Sequence, residues 1–139
     1  GTGFVVHELA HKFTAQYYRC RAEFHSNDLW LVLAILFAYL LGIVFAAPGA
    51  VMISNVGSRR QYGIISAAGP LSNIVMALIF VALPLGIISW YGFAINAFLA
   101  AFNMLPVWEL DGRKVLNWNK GVFAALISVS VVMVLIALA

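Results

Sequence analysis

The sequence predicts an all-α membrane protein, a polytopic bundle of about five helices. Its 139 residues are 64% apolar and only 9% charged, whereas an average soluble domain is roughly half apolar and about a quarter charged. No charged residue occurs within residues 29–58, 61–108 or 121–139, and each of these runs can hold at least one membrane-spanning helix of about 20 residues. The same composition excludes intrinsic disorder, and a single cysteine excludes a disulfide scaffold.

The first segment, residues 1–20, is predicted to be a helix that faces protein or water. It contains good helix formers and has no Gly or Pro after Gly3. Its polar side chains would be costly against lipid; they are His7, Glu8, His11, Lys12, Gln16 and Arg19. Because residues 1–6 contain neither an initiator methionine nor a signal peptide, we expect residues 1–139 to be one membrane domain from an N-terminally truncated fragment.

Four further helices are predicted from the uncharged runs, over residues 29–47, 63–83, 86–104 and 121–139. Leu83-Pro84-Leu85-Gly86 divides the longest run, because proline removes a helix donor and glycine is permissive. Pro48-Gly49 and the short β-branched stretch after it are too short for another span. Near residues 48–58 we therefore expect a short re-entrant strand or loop.

Counting these crossings gives a predicted topology. Residues 19–28 fall on one side, whereas residues 48–60 and 106–120 fall on the other side together with His7. Most basic residues fall on this second side, which the positive-inside rule makes cytoplasmic; they are Arg59, Arg60, Arg113, Lys114 and Lys120. We expect a multi-pass integral membrane protein whose active site lies toward the cytoplasm.

The expected partners follow from the same distribution of charge. The net charge of +3 is too small and too scattered to indicate nucleic-acid binding, which requires a clustered basic face. The lipid bilayer is the predicted environment. The sequence carries no indication of an oligomeric state.

Residues 7–11, His-Glu-Leu-Ala-His, match the H-E-x-x-H pattern. Two imidazoles four residues apart lie on one helix face, where both can reach a single Zn²⁺. Glu8 is turned about 100° from His7, so it can stand beside the metal and accept a proton from water. The alternative is a polar helix face that lines a cavity and carries two structural histidines.

A catalytic zinc needs a third protein ligand and one open position. Among the acids other than Glu8, only Glu109 and Asp111 fall on the same side as His7 in the crossing count. Asp111 lies next to Gly112 and just beyond the helix end at Pro106, where a short carboxylate can turn inward. Physical reasoning alone does not exclude Glu109 as the third ligand. It also does not exclude that both acids are surface turn residues.

Two other polar motifs occur in the apolar runs. Asn103 lies one turn before Pro106, where its amide can donate to a substrate carbonyl or an oxyanion, or instead satisfy carbonyls that the proline frees. Residues 67–73, Ala-Ala-Gly-Pro-Leu-Ser-Asn, permit close helix approach. In this motif Asn73 is placed to hydrogen-bond across an interface.

These three motifs, in this order, resemble the site-2 protease family of intramembrane zinc metalloproteases. The matching stretches are residues 7–11, residues 68–73, and Asn103-Met104-Leu105-Pro106 continuing to Leu110-Asp111-Gly112. The resemblance implies that His7, His11 and Asp111 bind Zn²⁺, that Glu8 activates water, and that Asn103 positions the substrate or the oxyanion. It favours Asp111 over Glu109.

The implied function is that of a zinc-dependent endopeptidase that hydrolyses peptide bonds within or near transmembrane segments of other proteins. A transmembrane protein is then the expected substrate. The alternative is a catalytically inactive protein of the same fold that binds metal or acts as a membrane scaffold. A transport component whose polar first helix lines a pathway is a further rival.

Overall fold

The computed structural model describes residues 2–26, 49–54 and 56–139, and its described elements form a helical bundle with one small sheet. The predicted fold class is confirmed, and the predicted helix over residues 29–47 lies outside the described residues. Within the described ranges the elements are α1 (Thr2–Tyr17), β1 (Arg21–Ser26), β2 (Gly49–Ser54), α2 (Arg59–Ala82), α3 (Ile87–Asn103), α4 (Asp111–Trp118) and α5 (Lys120–Leu138).

Helix α2 is the centre of the bundle and packs against α1, α3 and α4. It begins at the N-cap Ser58, whose hydroxyl accepts a hydrogen bond from the backbone of Gln61, as helix N-termini require. It ends at the predicted break, where Gly86 adopts a φ of +59° that favours glycine. Both α2 and α5 are long and apolar enough to cross a membrane, whereas α3 is apolar but shorter.

The helices pack through small and aliphatic side chains. One buried cluster joins α2, α3 and α5 and consists of Ile74, Ala77, Phe93, Ala97, Ala100 and Met133. A second cluster lies where α1 ends and α2 begins, and it consists of Ala15, Cys20 and Ile65. Helices α1 and α2 run antiparallel, because Asn73 bonds to Gly3 while the backbone of Ile65 bonds to His11.

The small sheet corrects the predicted topology. Strands β1 and β2 pair antiparallel, with Arg21 opposite Ser54 and Ser26 opposite Gly49. The crossing count placed residues 19–28 and 48–60 on opposite sides, so it is wrong at this point. The count assumed that the run between the strands carries the chain to the other side, but the paired ends of that run lie side by side.

A second correction concerns residues 106–120, which were predicted to be a loop. They contain the eight-residue helix α4. Asp111 begins this helix, where a negative charge is favourable against the helix dipole. Helix α4 is short and polar, so it lacks the long apolar run by which the other helices are predicted.

The corrected arrangement places the basic residues at one end of the bundle. This end contains the C-terminus of α1, the start of α2, helix α4 and the start of α5, since Lys114 lies 5.5 Å from the ring centre of Tyr62. We call it the basic end; its basic residues are Arg19, Arg21, Arg59, Arg60, Arg113, Lys114 and Lys120. The break at residues 83–86 lies at the opposite end.

Candidate metal centre

Helix α1 buries one narrow stripe of side chains against its neighbours. The buried residues are Gly3, His7, His11 and Ala15, each four positions after the last. This spacing follows one face of a helix. The two imidazoles therefore lie one turn apart on the buried face, and His7 and His11 are only 3% and 6% exposed.

Helix α2 makes room for both rings at Gly69. A Cβ at this position would lie 2.4 Å from Nε2 of His11 and 2.6 Å from Cε1 of His7. Any larger residue would therefore displace the imidazoles. The motif at residues 67–73, which the sequence identified as a packing motif, thus borders the histidine pair directly.

Asp111 approaches the same point from the first turn of α4. Its Oδ2 lies 3.1 Å from Nε2 of His7 and 3.1 Å from Nε2 of His11. The next residue, Gly112, allows α4 to lie close to the end of α3, because a Cβ there would be 2.1 Å from the carbonyl oxygen of Met104. The structure therefore brings together residues that are 100 positions apart.

The three atoms form a triangle with a size suited to a metal ion. The two Nε2 atoms are 3.0 Å apart, which together with the two 3.1 Å distances makes the triangle nearly equilateral. A tetrahedral Zn²⁺ site with bonds of about 2.0–2.1 Å separates its ligand atoms by roughly 3.3 Å. His7, His11 and Asp111 could therefore hold one metal ion.

The hydrogen bonds on the far side of each ring support this interpretation. Nδ1 of His11 lies 2.7 Å from the carbonyl oxygen of Ile65, which can only accept, so Nδ1 donates. Nδ1 of His7 lies 2.6 Å from Oδ1 of Asn73 and donates likewise. With both rings neutral, two Nε2 lone pairs and a carboxylate oxygen point at one another. Three acceptors this close repel one another, and a cation among them removes the repulsion.

Asp111 is the acid that belongs to this cluster, and it is buried, with 7% of its surface exposed. Glu109, the alternative that the sequence left open, is exposed and does not belong to the cluster.

Comparisons with known proteins identify relatives of this chain. A protein of Methanocaldococcus jannaschii named "Putative zinc metalloprotease MJ0611" is 40% identical over 133 residues, with 89% of this chain and 70% of the relative covered. This chain belongs to the same zinc metalloprotease family. A second family member, "Putative zinc metalloprotease Rip2" of Mycolicibacterium smegmatis, is 30% identical over 129 residues, with 77% of this chain covered.

The chain spans only about half the length of the mycobacterial relative, 50%. No protein-family model matches the chain, and no solved structure matches it. Membership of the zinc metalloprotease family therefore rests on the relative from Methanocaldococcus jannaschii.

The other two residues that the sequence predicts for the site, Glu8 and Asn103, lie in different surroundings. Glu8 is half-buried beside the histidine pair and interacts electrostatically with His11. Asn103 is half-buried at the end of α3, and its amide donates to the carbonyl of Leu99 at 2.9 Å. Leu99 is not the carbonyl that Pro106 frees, because that carbonyl belongs to Phe102 and accepts from the backbone of Leu105 at 3.1 Å. A role for Asn103 in binding substrate stays a prediction.

Two polar residues beside the centre were not predicted as part of it. The predicted hydrogen bond of Asn73 across a helix interface is confirmed, but its partner, His7, was not predicted. Asn96 in α3 is 2% exposed and bonds in turn to Asn73. One feature of the sequence could have identified both residues: each is an amide within a long uncharged run, where a buried polar group needs a hydrogen-bond partner.

Proposed function

We propose that this chain is a zinc-dependent intramembrane endopeptidase of the site-2 protease type, which hydrolyses peptide bonds within or near transmembrane segments. The observation that carries the proposal is the buried convergence of His7, His11 and Asp111 at 3.0–3.1 Å, with Glu8 next to His7 in α1. Membership of the zinc metalloprotease family supports the same activity.

The surface of the bundle supports a location inside the membrane. Ile87, Leu135 and Leu138 are 68%, 61% and 69% exposed, and they belong to a large set of exposed apolar side chains on α2, α3 and α5. Soluble monomers rarely expose contiguous apolar surface of this extent. Lipid covers such a surface at no cost, so we propose that these helices cross the bilayer.

The basic end supports an orientation. Cytoplasmic segments near membrane spans carry an excess of Lys and Arg, so we propose that the basic end faces the cytoplasm. Ile65 and Gly69, which contact the histidines, are six and ten residues after Arg59. At 1.5 Å per residue the centre lies roughly 9–15 Å along α2. This is inside a hydrocarbon core of about 30 Å, in its cytoplasmic half.

The chemistry follows from the groups that surround the centre. When bound, zinc supplies a Lewis acid that polarises the scissile carbonyl and lowers the pKa of water from 15.7 to about 7. His7, His11 and Asp111 would hold the ion. Glu8 accepts the proton of the attacking water and returns it to the leaving amine. The amide of Asn103 donates to the substrate carbonyl after releasing Leu99.

The proposed substrates are single-span membrane proteins. An intact helix engages its own carbonyls in hydrogen bonds, so the helix must unwind before Glu8 and the centre can act on a peptide bond. Substrates with helix-weakening residues near the cleavage point are therefore expected to be preferred.

The test uses Glu8→Gln in the purified protein reconstituted into lipid vesicles with a transmembrane reporter substrate. We expect cleavage to fall by more than about 1,000-fold, while zinc remains near one ion per chain because Glu8 is not a ligand. Glu109→Gln is the matched control and should cleave normally. If the unmodified protein binds zinc but cleaves no transmembrane reporter, the alternative of an inactive metal-binding protein replaces the proposal.

A further inference from the structure

Two buried amides lie between the metal centre and the interior of the bundle. Asn73 in α2 is 0% exposed, and Asn96 in α3 is 2% exposed. Neither side chain belongs to the group that could bind metal. Burying an amide is costly unless its hydrogen bonds are made, so both side chains need partners inside the bundle.

The two amides and their partners form a chain of hydrogen bonds in which donors and acceptors can be assigned in only one way. Nδ2 of Asn96 donates to the carbonyl of Gly92 at 2.8 Å, and this fixes Oδ1 of Asn96 toward Asn73. Nδ2 of Asn73 donates to that oxygen and to the carbonyl of Gly3, each at 3.0 Å. Both amide hydrogens of Asn73 are thereby used.

The orientation of Asn73 determines the state of His7. Because Nδ2 of Asn73 is occupied by two acceptors, its Oδ1 is the atom that faces Nδ1 of His7, at 2.6 Å. An amide oxygen cannot donate, so Nδ1 of His7 carries the hydrogen. Reversing either amide would place an oxygen against a backbone carbonyl oxygen.

We propose that Asn73 and Asn96 are positioning residues that hold His7 in its Nδ1–H tautomer, with the Nε2 lone pair directed at the metal. This inference rests on the proposed zinc function. Outer partners of metal-binding histidines fix the tautomer and the ring orientation, and their loss typically costs 10–100-fold in metal affinity. We call the two residues the amide relay.

His11 provides an internal reference. Its Nδ1 donates directly to the backbone carbonyl of Ile65 at 2.7 Å, which no side-chain substitution removes. The amide relay therefore acts on His7 alone. A general loss of packing would instead disturb both rings.

The experiment measures the two histidines separately in Asn73→Leu, with Asn96→Leu as a second variant that leaves the contacts of Asn73 with His7 and Gly3 in place. Zinc affinity is measured by chelator competition, and the absorption spectrum of the cobalt-loaded protein reports ligand geometry. Nitrogen NMR of labelled histidine in the metal-free protein, at a pH where the rings are neutral, reports each tautomer.

We expect Asn73→Leu to weaken zinc binding by about 10–100-fold and Asn96→Leu by a smaller factor. In Asn73→Leu the tautomer of His7 becomes mixed, whereas in Asn96→Leu it changes less because the carbonyl of Gly3 still orients Asn73; the tautomer of His11 is unchanged in both variants. Ser130→Ala is the matched control, because Ser130 is a buried polar residue that donates to Leu126 in α5, away from the centre. It should lower stability without changing zinc affinity.

Two results would overturn the relay. One is zinc affinity and a cobalt spectrum in both Asn variants equal to those of the unmodified protein. The other is an equal change in the tautomers of His7 and His11 that scales with the loss in the free energy of unfolding. That result would indicate a purely structural role. An unmodified protein that binds no zinc would instead contradict the proposed function, so the two failures are distinguishable.

Discussion

The two halves of the metal centre are built in different ways. His7, Glu8 and His11 lie within five residues of one helix, and their relative positions follow from the helical repeat. Asp111 reaches the same point from α4, 100 residues further along the chain. The first half is thus fixed by local geometry, whereas the second depends on how closely α4 packs against α2 and α3.

This difference indicates where each half is vulnerable. On α1, a substitution changes a chemical group but leaves the spacing of the others intact. At Asp111, the position of the carboxylate depends on a close approach that a glycine permits, at Gly112 against Met104. Packing changes away from the ligands should therefore affect the Asp111 half most.

The largest expected effect comes from breaking the long-range half. Asp111→Ala removes one of three convergent acceptors, and we expect zinc binding to weaken by more than about 100-fold, with cleavage lost. Zinc content by elemental analysis and chelator competition measures this. Glu109→Ala, two residues earlier but exposed, should retain one zinc. The reverse result, with zinc lost only in Glu109→Ala, would contradict the assignment of Asp111.

A smaller effect is expected from filling the space that Gly69 leaves for the histidine rings. Gly69→Ala places a Cβ 2.4 Å from Nε2 of His11, and His11 cannot retreat without losing its bond to Ile65. Overpacking of this kind costs about 1–3 kcal/mol in the free energy of unfolding. We also expect zinc affinity to fall by roughly tenfold or more, within the range for disturbed ligand orientation.

Gly121→Ala is the control for this substitution. Its nearest neighbour would be Oδ1 of Asn119 at 3.2 Å, and alanine is favoured over glycine in a helix by up to about 1 kcal/mol. The free energy of unfolding should change by less than about 1 kcal/mol, and zinc affinity should stay the same. If Gly69→Ala behaves like Gly121→Ala, the rings are not confined as the structure indicates.

The half of the site on α1 could be predicted from sequence alone because its residues lie within five positions of one helix. Four-residue spacing places His7 and His11 on one face of α1 whatever the rest of the chain does. The boundaries of α3 and α5 and the end of α2 were likewise predictable, since long apolar runs and the break at Pro84 define them. Helix α2 begins at Arg59, four residues before its predicted start, because Ser58 caps it ahead of the apolar run.

The long-range features could not be read in this way. The pairing of β1 with β2 joins segments far apart in sequence, and no periodicity in either segment encodes its partner. Helix α4 is short and polar, so neither its length nor its hydropathy distinguished it from a loop. The sequence marks Asn96 only as a lone amide in an apolar run. Its hydrogen bond to Asn73 could not be predicted, because Asn73 lies on another helix.

The smallest expected effect concerns Asn103, which lies between the two halves in sequence and bonds only locally in this structure. Its amide must leave the carbonyl of Leu99 before it can reach a substrate. Lost oxyanion donors commonly cost 10²–10³ in kcat. Asn103 must give up its hydrogen bond to Leu99 to form one with the substrate, so the net stabilisation of the transition state is smaller. We therefore expect Asn103→Ala to lower kcat by about tenfold, with zinc affinity unchanged.

Asn103→Ser separates the two roles of this side chain. A serine hydroxyl can still donate to the carbonyl four residues earlier but is too short to extend toward a substrate. We expect it to preserve the free energy of unfolding and yet lower kcat as much as Asn103→Ala does. A kcat in both variants within twofold of the unmodified value would show that Asn103 serves only the end of α3, and that Glu8 and the metal ligands act on the substrate without it.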